Sequence, residues 1–481
     1  MTGPEPEDKR QWIEDLKEEN QVLGEELTRV QTENDRLREE VKKLEKLLRS
    51  KARSATPFSK GQRKTKPNRP GRKPGQGPFQ RRHAPPAAAE AKPVEVPVVS
   101  MRCPCCGGEW KWQRTDRVTN TDMPAQPQPE VHVYDVAVCV CTACGKSVRG
   151  EHPQVAADQY GATAHRVGPR LKTMAHALHY GHGVPVRRLP AILLETTGVT
   201  MTQGAITRDA LKQASGVVGH AYQDAREGIR QAPVTYTDDT SWAVGGEPAQ
   251  LMVFDTDQST VYQIRPQHRN QEVRELVPGD YRGTLVTDRG PSYEADALAG
   301  VDQQKCLSHL LRNVKEVVET KSGRARQFGD GVLNSLKQAN QLWRDHRAGK
   351  VDGEAFRQQG QEIEDQLTHQ LRHRQLTDPD NQRLRDGIGW QNDRGQVLRF
   401  LHNPAIEPTN NRAERALRPA VIARKVSQCS KTQGGADAFA AFTTVIRTIA
   451  KKANTSIVQG LHSLLHPTDS APGSAPPQNS G

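Results

Sequence analysis

The stretch Val234-Thr-Tyr-Thr-Asp-Asp-Thr-Ser-Trp-Ala-Val244 decides how the chain is read. Its β-branched and aromatic residues mark a strand, yet Asp238 and Asp239 stand side by side at its centre. Asp is a poor strand former, and an ionised carboxylate is costly to bury without a partner. A bound divalent cation is the compensation that this conflict predicts.

A similar stretch follows at Gly283-Thr-Leu-Val-Thr-Asp288-Arg-Gly-Pro-Ser-Tyr293, where a short apolar run ends in an Asp just before a Gly-Pro turn. A third carboxylate, Glu414, lies in Pro408-Thr-Asn-Asn-Arg-Ala-Glu-Arg-Ala-Leu-Arg-Pro419, which reads as the start of a helix. Two strand-borne Asp and one helix-borne Glu can converge on a pair of Mg2+ or Mn2+ ions, since hard carboxylate oxygens suit these metals. Between the acids, Leu251–Phe254 and Val261–Ile264 read as short strands, 271–277 as a short helix and Thr284–Thr287 as the next strand. Asp255 and Asp257 are rival carboxylates but read better as turn residues. This order suits an α/β, RNase H-like catalytic domain over 231–450, with acids on its first and fourth strands and a helical insertion near 315–403. Each acid also has an ordinary reading. Asp238 would be a strand-end carboxylate, Asp288 a cap for the Gly-Pro turn, and Glu414 the partner of Asn411 in a capping box.

At 481 residues the chain has room for several domains. It has no apolar run long enough for a membrane span, and its polar first ten residues are unlike a signal peptide, so the expectation is a cytoplasmic, nucleoid-associated protein with no membrane partner. The formal net charge is +12, and between Arg49 and Arg82 stand twelve Lys or Arg and no acid. Residues 51–98 therefore read as a basic, disordered DNA-binding arm and linker, with Arg63, Lys64, Lys66, Arg69, Arg72 and Lys73 as phosphate contacts. A solvated linker is the plainer alternative.

Residues 8–50 carry an unbroken heptad repeat. One seam position holds Ile13, Asn20, Leu27, Asn34, Val41 and Leu48, the other Leu16, Leu23, Val30, Leu37 and Leu44. This predicts a coiled-coil dimerisation helix, and the seam Asn residues favour a parallel two-stranded register. The partner is a second copy of the chain, in a homodimer or higher oligomer.

Cys103-Pro-Cys-Cys106-Gly and Cys141-Thr-Ala-Cys144-Gly repeat the CxxCG spacing of two knuckles around one tetrahedral Zn2+. Four thiolates, from Cys103, Cys106, Cys141 and Cys144, close the coordination, so a structural zinc-ribbon-like module is expected over 99–150, with Cys105 and Cys139 as bystanders. Gly145-Lys-Ser147 is no P-loop, because Val140 stands where its first Gly belongs.

Residues 160–230 read as a helical, helix-turn-helix-like module. One helix spans Arg187–Glu195, a turn follows at Thr197-Gly198-Val199, and a second helix spans Thr202–Ala214 behind a Thr cap. Thr202, Gln203, Thr207 and Arg208 would face a DNA groove, although plain helical packing explains the pattern nearly as well. The tail, 466–481, is Pro/Ser/Gly-rich and reads as disordered.

With these residues in place, the chain resembles the transposases of the insertion-sequence-66 family, which are of the DDE type. The motifs that carry the resemblance are Thr237-Asp-Asp-Thr-Ser-Trp242, Leu285-Val-Thr-Asp288, Cys306-Leu-Ser-His309 and the Pro408–Pro419 segment quoted above. The family carries Asp-Glu-Thr where this chain has Asp238-Asp239-Thr240. The resemblance implies Asp238, Asp288 and Glu414 as the metal-binding catalytic triad, with Asp239, His309, Asn411 and Arg415 in support and Arg415 and Arg418 on DNA phosphates. His309 reads equally as a structural partner of Cys306. The implied activity is binding of element ends, metal-dependent phosphodiester cleavage and joining of the 3′-hydroxyl to target DNA, in concert with small accessory proteins. The rivals are an inactive end-binding or repressor dimer and a nuclease that cuts without joining.

Overall fold

The computed structural model describes residues 6–53, 94–96, 102–103, 105–109, 111, 114–115, 129–372, 376–452 and 455–467. It divides into two compact units, Met1–Thr121 and Asp122–Gly481. Among the described residues no helix is long and apolar enough to cross a membrane.

In the first unit Pro6 opens α1 (Pro6–Arg53), a position where its missing N–H is not needed. The helix runs 48 residues. Its seam residues Leu16, Leu23, Leu27, Val30, Leu37 and Val41 are all exposed. The first CxxC forms a tight loop: Cys103 N donates to the Gly108 carbonyl at 2.9 Å and Gly107 N to the Cys103 carbonyl at 2.8 Å. Gly107 adopts φ +72°, which a side chain would resist. Residues 51–53 of the predicted arm continue α1, whereas 54–93 and 97–98 and the tail beyond residue 467 lie outside the described residues.

The second unit opens with an antiparallel pair, β1 (Val138–Val140) and β2 (Ser147–Arg149), around the second CxxC. Its loop repeats the first in detail. Cys141 N donates to the Lys146 carbonyl and Gly145 N to the Cys141 carbonyl, each at 2.9 Å, and Gly145 has φ +73°.

Four helices follow: α2 (Pro169–His176), α3 (Leu189–Thr197), α4 (Gln203–Ala214) and α5 (Val217–Arg230). A π-helical turn, Ala177–Gly181, continues α2. α3 begins at Leu189 instead of Arg187, because Pro190 fits only the first turn of an α-helix and the residues before it form a 3-10 turn. Gly198 ends it at φ +71°, and the Thr202 side chain accepts from Ala205 N at 3.2 Å to cap α4. Ala175, Leu189, Leu193, Met201 and Ile206 form the local core.

The main sheet holds β3 (Val234–Val244), β4 (Glu247–Asp255), β5 (Thr260–Arg265), β6 (Thr284–Thr287) and β7 (Asp302–Lys305). Their order is β5-β4-β3-β6-β7; β3, β4 and β5 form an antiparallel meander, while β6 and β7 run parallel to β3. The crossover from β5 to β6 includes α6 (Asn270–Arg274), shorter than the sequence predicted. Both sheet faces are covered. Leu251 and Val253 of β4 enter one core, and the alternate residues Met252 and Phe254 enter another with Ala225 and Ile229 of α5. β4 also runs further than expected. Asp255 is not a turn residue but the last residue of the strand, paired with Thr260 and buried.

Between β7 and the next helix of the site lie α7 (Leu307–Glu319), α8 (Gly323–Arg347), α9 (Gly353–Arg372), α10 (Pro379–Asp393) and α11 (Arg399–His402). Then α12 (Asn411–Ser427), α13 (Gln433–Ile449) and α14 (Ile457–Leu465) complete the unit. α12 buries Ala413, Leu417, Ala420 and Ala423 in the core that also takes Tyr236 and Leu251. α13 lies along the outer strand: Thr260 N and Tyr262 N of β5 donate to Thr448 Oγ1 and Thr444 Oγ1 at 3.2 and 2.9 Å. On the opposite border, Lys305 N of β7 donates to the Gln396 carbonyl at 2.7 Å.

Candidate active site

The register of β3 on β6 pairs Val234 with Thr284 and Tyr236 with Val286. Asp238 lies two residues beyond the last of these pairs and Asp288 directly follows β6, and the charge of Asp288 acts on the Asp238 carboxyl. β6 ends at Thr287, and Asp288 also shapes the turn: its Oδ1 accepts from Gly290 N at 2.8 Å. The expected capping role of Asp288 is thus real and coexists with its action on Asp238.

Glu414 comes from the first turn of α12, and the chain holds that turn against the sheet. Asn410 is buried; its side-chain amide donates to the Thr237 carbonyl at 2.7 Å and its backbone N–H to Cys306 Sγ at 3.2 Å. Tyr236 Oη accepts from Glu407 N at 2.9 Å. Arg412 Nε donates to Asp255 Oδ2 at 2.6 Å, and its guanidinium lies over the Tyr236 ring, 5.1 Å from the centre. No capping box forms. Asn410 is the N-cap residue and makes no side-chain cap, so Glu414 stands one position past the capping place. Asn411, expected to support the site, is exposed; its neighbour Asn410 makes the contacts instead.

The acids feel one another. Burial, opposed by a hydrogen bond from the Asp239 N–H and reinforced by the charges of Asp239, Asp288 and Glu414, pushes the Asp238 carboxyl up to about 7. Asp239 accepts from or pairs with His268 Nδ1 at 3.1 Å, and the His268 ring sits edge-on to Tyr293 at 5.4 Å. Tyr293 is buried among the same carboxylates, and its hydroxyl is held well above the usual range by burial.

Beneath the acids lies a buried lysine. Lys305 Nζ donates to Glu294 Oε1 and Gln303 Oε1, each at 2.8 Å, and to Thr287 Oγ1 at 3.3 Å. Burial lowers its pKa even though Glu294 and Asp288 work in the opposite direction. The neighbouring Cys306 thiol raises the His309 imidazole pKa. Burial would raise the thiol pKa, but His309 and the Asn410 N–H bring it below its ordinary value. His309 therefore has the structural partner foreseen for it while also lying within the field of Asp288. Arg415 and Arg418 are exposed on α12. His268, Lys305, Asn410 and Arg412 escaped the sequence reading. Asn410 and Arg412 left a signal, four and two places before Glu414 in the same motif.

The chemistry of the donors suits a hard divalent cation. The Asp238 carboxyl is raised by burial and by the charges of Asp239, Asp288 and Glu414, and a cation would relieve that repulsion. Among the described residues no three His, Cys, Asp or Glu side chains are drawn together tightly enough to enclose an ion. At the knuckles the ligand chemistry is soft. The Cys103 thiol is lowered by backbone hydrogen bonds from Cys106 and Cys105, and the Cys141 thiol by those from Cys144 and Ala143, so both favour the thiolate form.

Elsewhere in the unit, Thr202, Gln203, Thr207 and Arg208 are all exposed on α4 or at its cap. Asp209 of the same helix turns inward. Burial opposes its ionisation, yet hydrogen bonds from His176 Nε2 at 2.8 Å and Lys172 Nζ at 3.0 Å hold it down to about 2.

Comparison with known proteins places these observations in a family. The family model described as Transposase IS66 family matches residues 165–438, more than half of the chain and all three of Asp238, Asp288 and Glu414. A comparison with curated proteins finds no match. The chain belongs to the IS66 family of transposases.

Proposed function

We propose that this IS66-family transposase cuts DNA at the ends of its element and joins the freed 3′-hydroxyl to target DNA, with Asp238, Asp288 and Glu414 as its catalytic acids. The observation that carries the reading is the crowding at Asp238, whose carboxyl is pushed up to about 7 by burial and by three neighbouring carboxylates. A buried acid perturbed by several neighbouring carboxylates is a functional signature more often than a structural one. The strand order β5-β4-β3-β6-β7, with only β4 antiparallel to its neighbours, supports the RNase H-like assignment.

Asp238, Asp288 and Glu414 would hold a pair of Mg2+ or Mn2+ ions, which when bound activate the attacking water or hydroxyl and neutralise the departing 3′ oxygen. The chain's own part is positional. Asn410 and Arg412 hold the first turn of α12 so that Glu414 meets the strand acids, and His268 fixes Asp239 beside them. Exposed Arg415 and Arg418 on α12 would take the phosphates that flank the scissile bond.

The remaining modules fit the same reading. The exposed seam of α1 would pair with a second copy as a parallel coiled coil. The basic arm would supply salt-sensitive DNA affinity, and α4 would present Gln203 and Arg208 to the element's ends. Cys103, Cys106, Cys141 and Cys144 would hold a structural Zn2+. Small accessory transposition proteins and association with the nucleoid belong to the reading as well.

Purified chain with labelled DNA carrying the element's ends, in Mg2+ or in EDTA, tests it. Metal-dependent cleavage that leaves a 3′-hydroxyl and joins it to a second DNA, lost in Glu414→Gln, is the expected result. Binding without cleavage would favour an end-binding protein, and cleavage without joining a nuclease. Cleavage that survives Glu414→Gln would remove Glu414 from the triad.

A further inference from the structure

A cleft of about 660 Å³ opens beside Asp288, lined by the loop after β6, by α7 and by α10 of the helical insertion. That volume lies within the roughly 300–1,000 Å³ of small-ligand sites. Arg289, the residue after Asp288, lines it together with Glu294, Trp390 and Gln391. Three buried polar atoms of this lining have no partner: Arg289 Nε, a donor, and Glu294 Oε2 and Gln391 Oε1, both acceptors. Leaving such atoms unmade is costly, and three around one cleft describe a ligand with its own donor and acceptor.

The rest of the lining specifies the kind of ligand. The Arg394 guanidinium lies over the Trp390 ring, 3.8 Å from its centre, yet Trp390 is still 42 % exposed. An indole kept in place by a guanidinium and open to a cleft is a platform for a flat ring. Glu294 is paired with Lys305 Nζ at 2.8 Å and Asp386 with Arg385 Nη2 at 2.7 Å, so both charges are answered and Glu294 Oε2 is left as a hydrogen-bond acceptor. The two orphaned oxygens call for a donor on the ligand, which the amino group of a heterocycle supplies and an ionised phosphate does not. Gly387 makes room for this arrangement, because a side chain there would begin 3.0 Å from Arg289 Nη2.

We propose that the cleft takes one unpaired nucleobase of the DNA strand lying across the acids, its ring stacked on Trp390 and its edge hydrogen-bonded by Arg289, Glu294 and Gln391. The inference rests on the DNA-cleaving reading given above and adds a base-binding subsite to it. Cytosine, adenine and guanine offer an exocyclic amino group to the two orphaned oxygens and a ring acceptor to Arg289. Thymine lacks the amino group and fits less well.

The test uses the full chain in buffer without Mg2+ or Mn2+ and a forked duplex of the element's end, with an abasic nucleotide placed in turn at each position around the cleavage junction. Binding is read by fluorescence anisotropy. One abasic position is expected to weaken binding by the native chain roughly tenfold. Trp390→Ala should abolish that penalty, Trp390→Phe should keep most of it, and thymine at that position should bind more weakly than cytosine. Equal affinity at every abasic position, or a penalty that survives Trp390→Ala in full, would overturn the proposal. If Trp390→Ala fails to fold, the abasic series with the native chain and Trp390→Phe still decides the matter. The outcome is separable from that of the active-site reading, because this binding is measured without Mg2+ or Mn2+ while the Glu414→Gln test reads cleavage.

Discussion

Arg412 Nε and Asp255 Oδ2 lie 2.6 Å apart, and this contact ties the helix that carries Glu414 to the end of β4. Asp255 also takes Lys451 Nζ at 2.7 Å and the Thr260 hydroxyl, and it is almost wholly buried. Replacing it by Ala would leave two cations facing each other without their shared anion, at a cost of about 3–5 kcal/mol. The expected result for Asp255→Ala is a large fall in the urea midpoint. Asp255→Asn, which keeps the shape, should retain more stability but cut less DNA per folded molecule. An unchanged midpoint for Asp255→Ala would show that the cluster does not hold α12.

The raised pKa of Asp238 predicts how metal-free protein responds to pH. Between its ordinary value near 4 and about 7, the folded chain binds a proton that the unfolded chain has released. Stability should therefore fall as pH rises through that window and level off above it, other groups held equal. Asp238→Asn should flatten this part of the profile, and Mg2+ should stabilise the native chain more at pH 8 than at pH 6. Melting curves at a series of pH values, with and without Mg2+, give the comparison.

Gly283 enters β6 where nothing larger fits. An added Cβ would lie 2.3 Å from the Ala232 carbonyl oxygen and 2.4 Å from Tyr281 Oη. The Tyr281 hydroxyl itself bonds the Ala232 carbonyl at 2.7 Å and Thr235 Oγ1 at 2.9 Å, so it has little freedom to move. Gly283→Ala should destabilise the chain by about 1–3 kcal/mol or more. Because the displaced strand leads to Asp288, cleavage should decline with it. Denaturation and a cleavage time course measure the two effects.

The matched loops at Cys103–Gly108 and Cys141–Lys146 predict a metal stoichiometry. The purified chain should carry about one zinc, and Cys141→Ser combined with Cys144→Ser should carry none. Cys139→Ser should keep it, since Cys139 lies in β1 opposite Val148 and outside the loop. Elemental analysis of the three proteins distinguishes these outcomes; zinc retained in the double variant would remove the second loop as a ligand pair.

What the sequence disclosed divides by range. Val234–Val244 forms a strand over the whole predicted stretch, because β-branched and aromatic residues outweigh its two Asp. The Thr202 cap and the Gly198 stop were equally legible, since a cap depends on residues three or four places away. Asp255 was misread because its partners Arg412 and Lys451 lie far along the chain, and only the fold brings them together. The choice between Asn410 and Asn411 turned on helix phase. A one-residue shift in where α12 starts decides which amide is buried, and neighbouring identical residues give no hint of it. The pairing of β3 with β6, beyond which Asp238 and Asp288 follow, is likewise a property of the sheet and not of either segment.

The two borders of the main sheet are occupied from within the chain. Thr444 and Thr448 of α13 accept the outward N–H groups of Tyr262 and Thr260, and the Gln396 carbonyl takes that of Lys305. Strand exchange or strand addition between copies would first have to break these bonds. The catalytic unit is thus guarded against the edge-to-edge polymerisation to which open sheets are prone. Many copies could gather on one DNA at high local concentration without their sheets fusing.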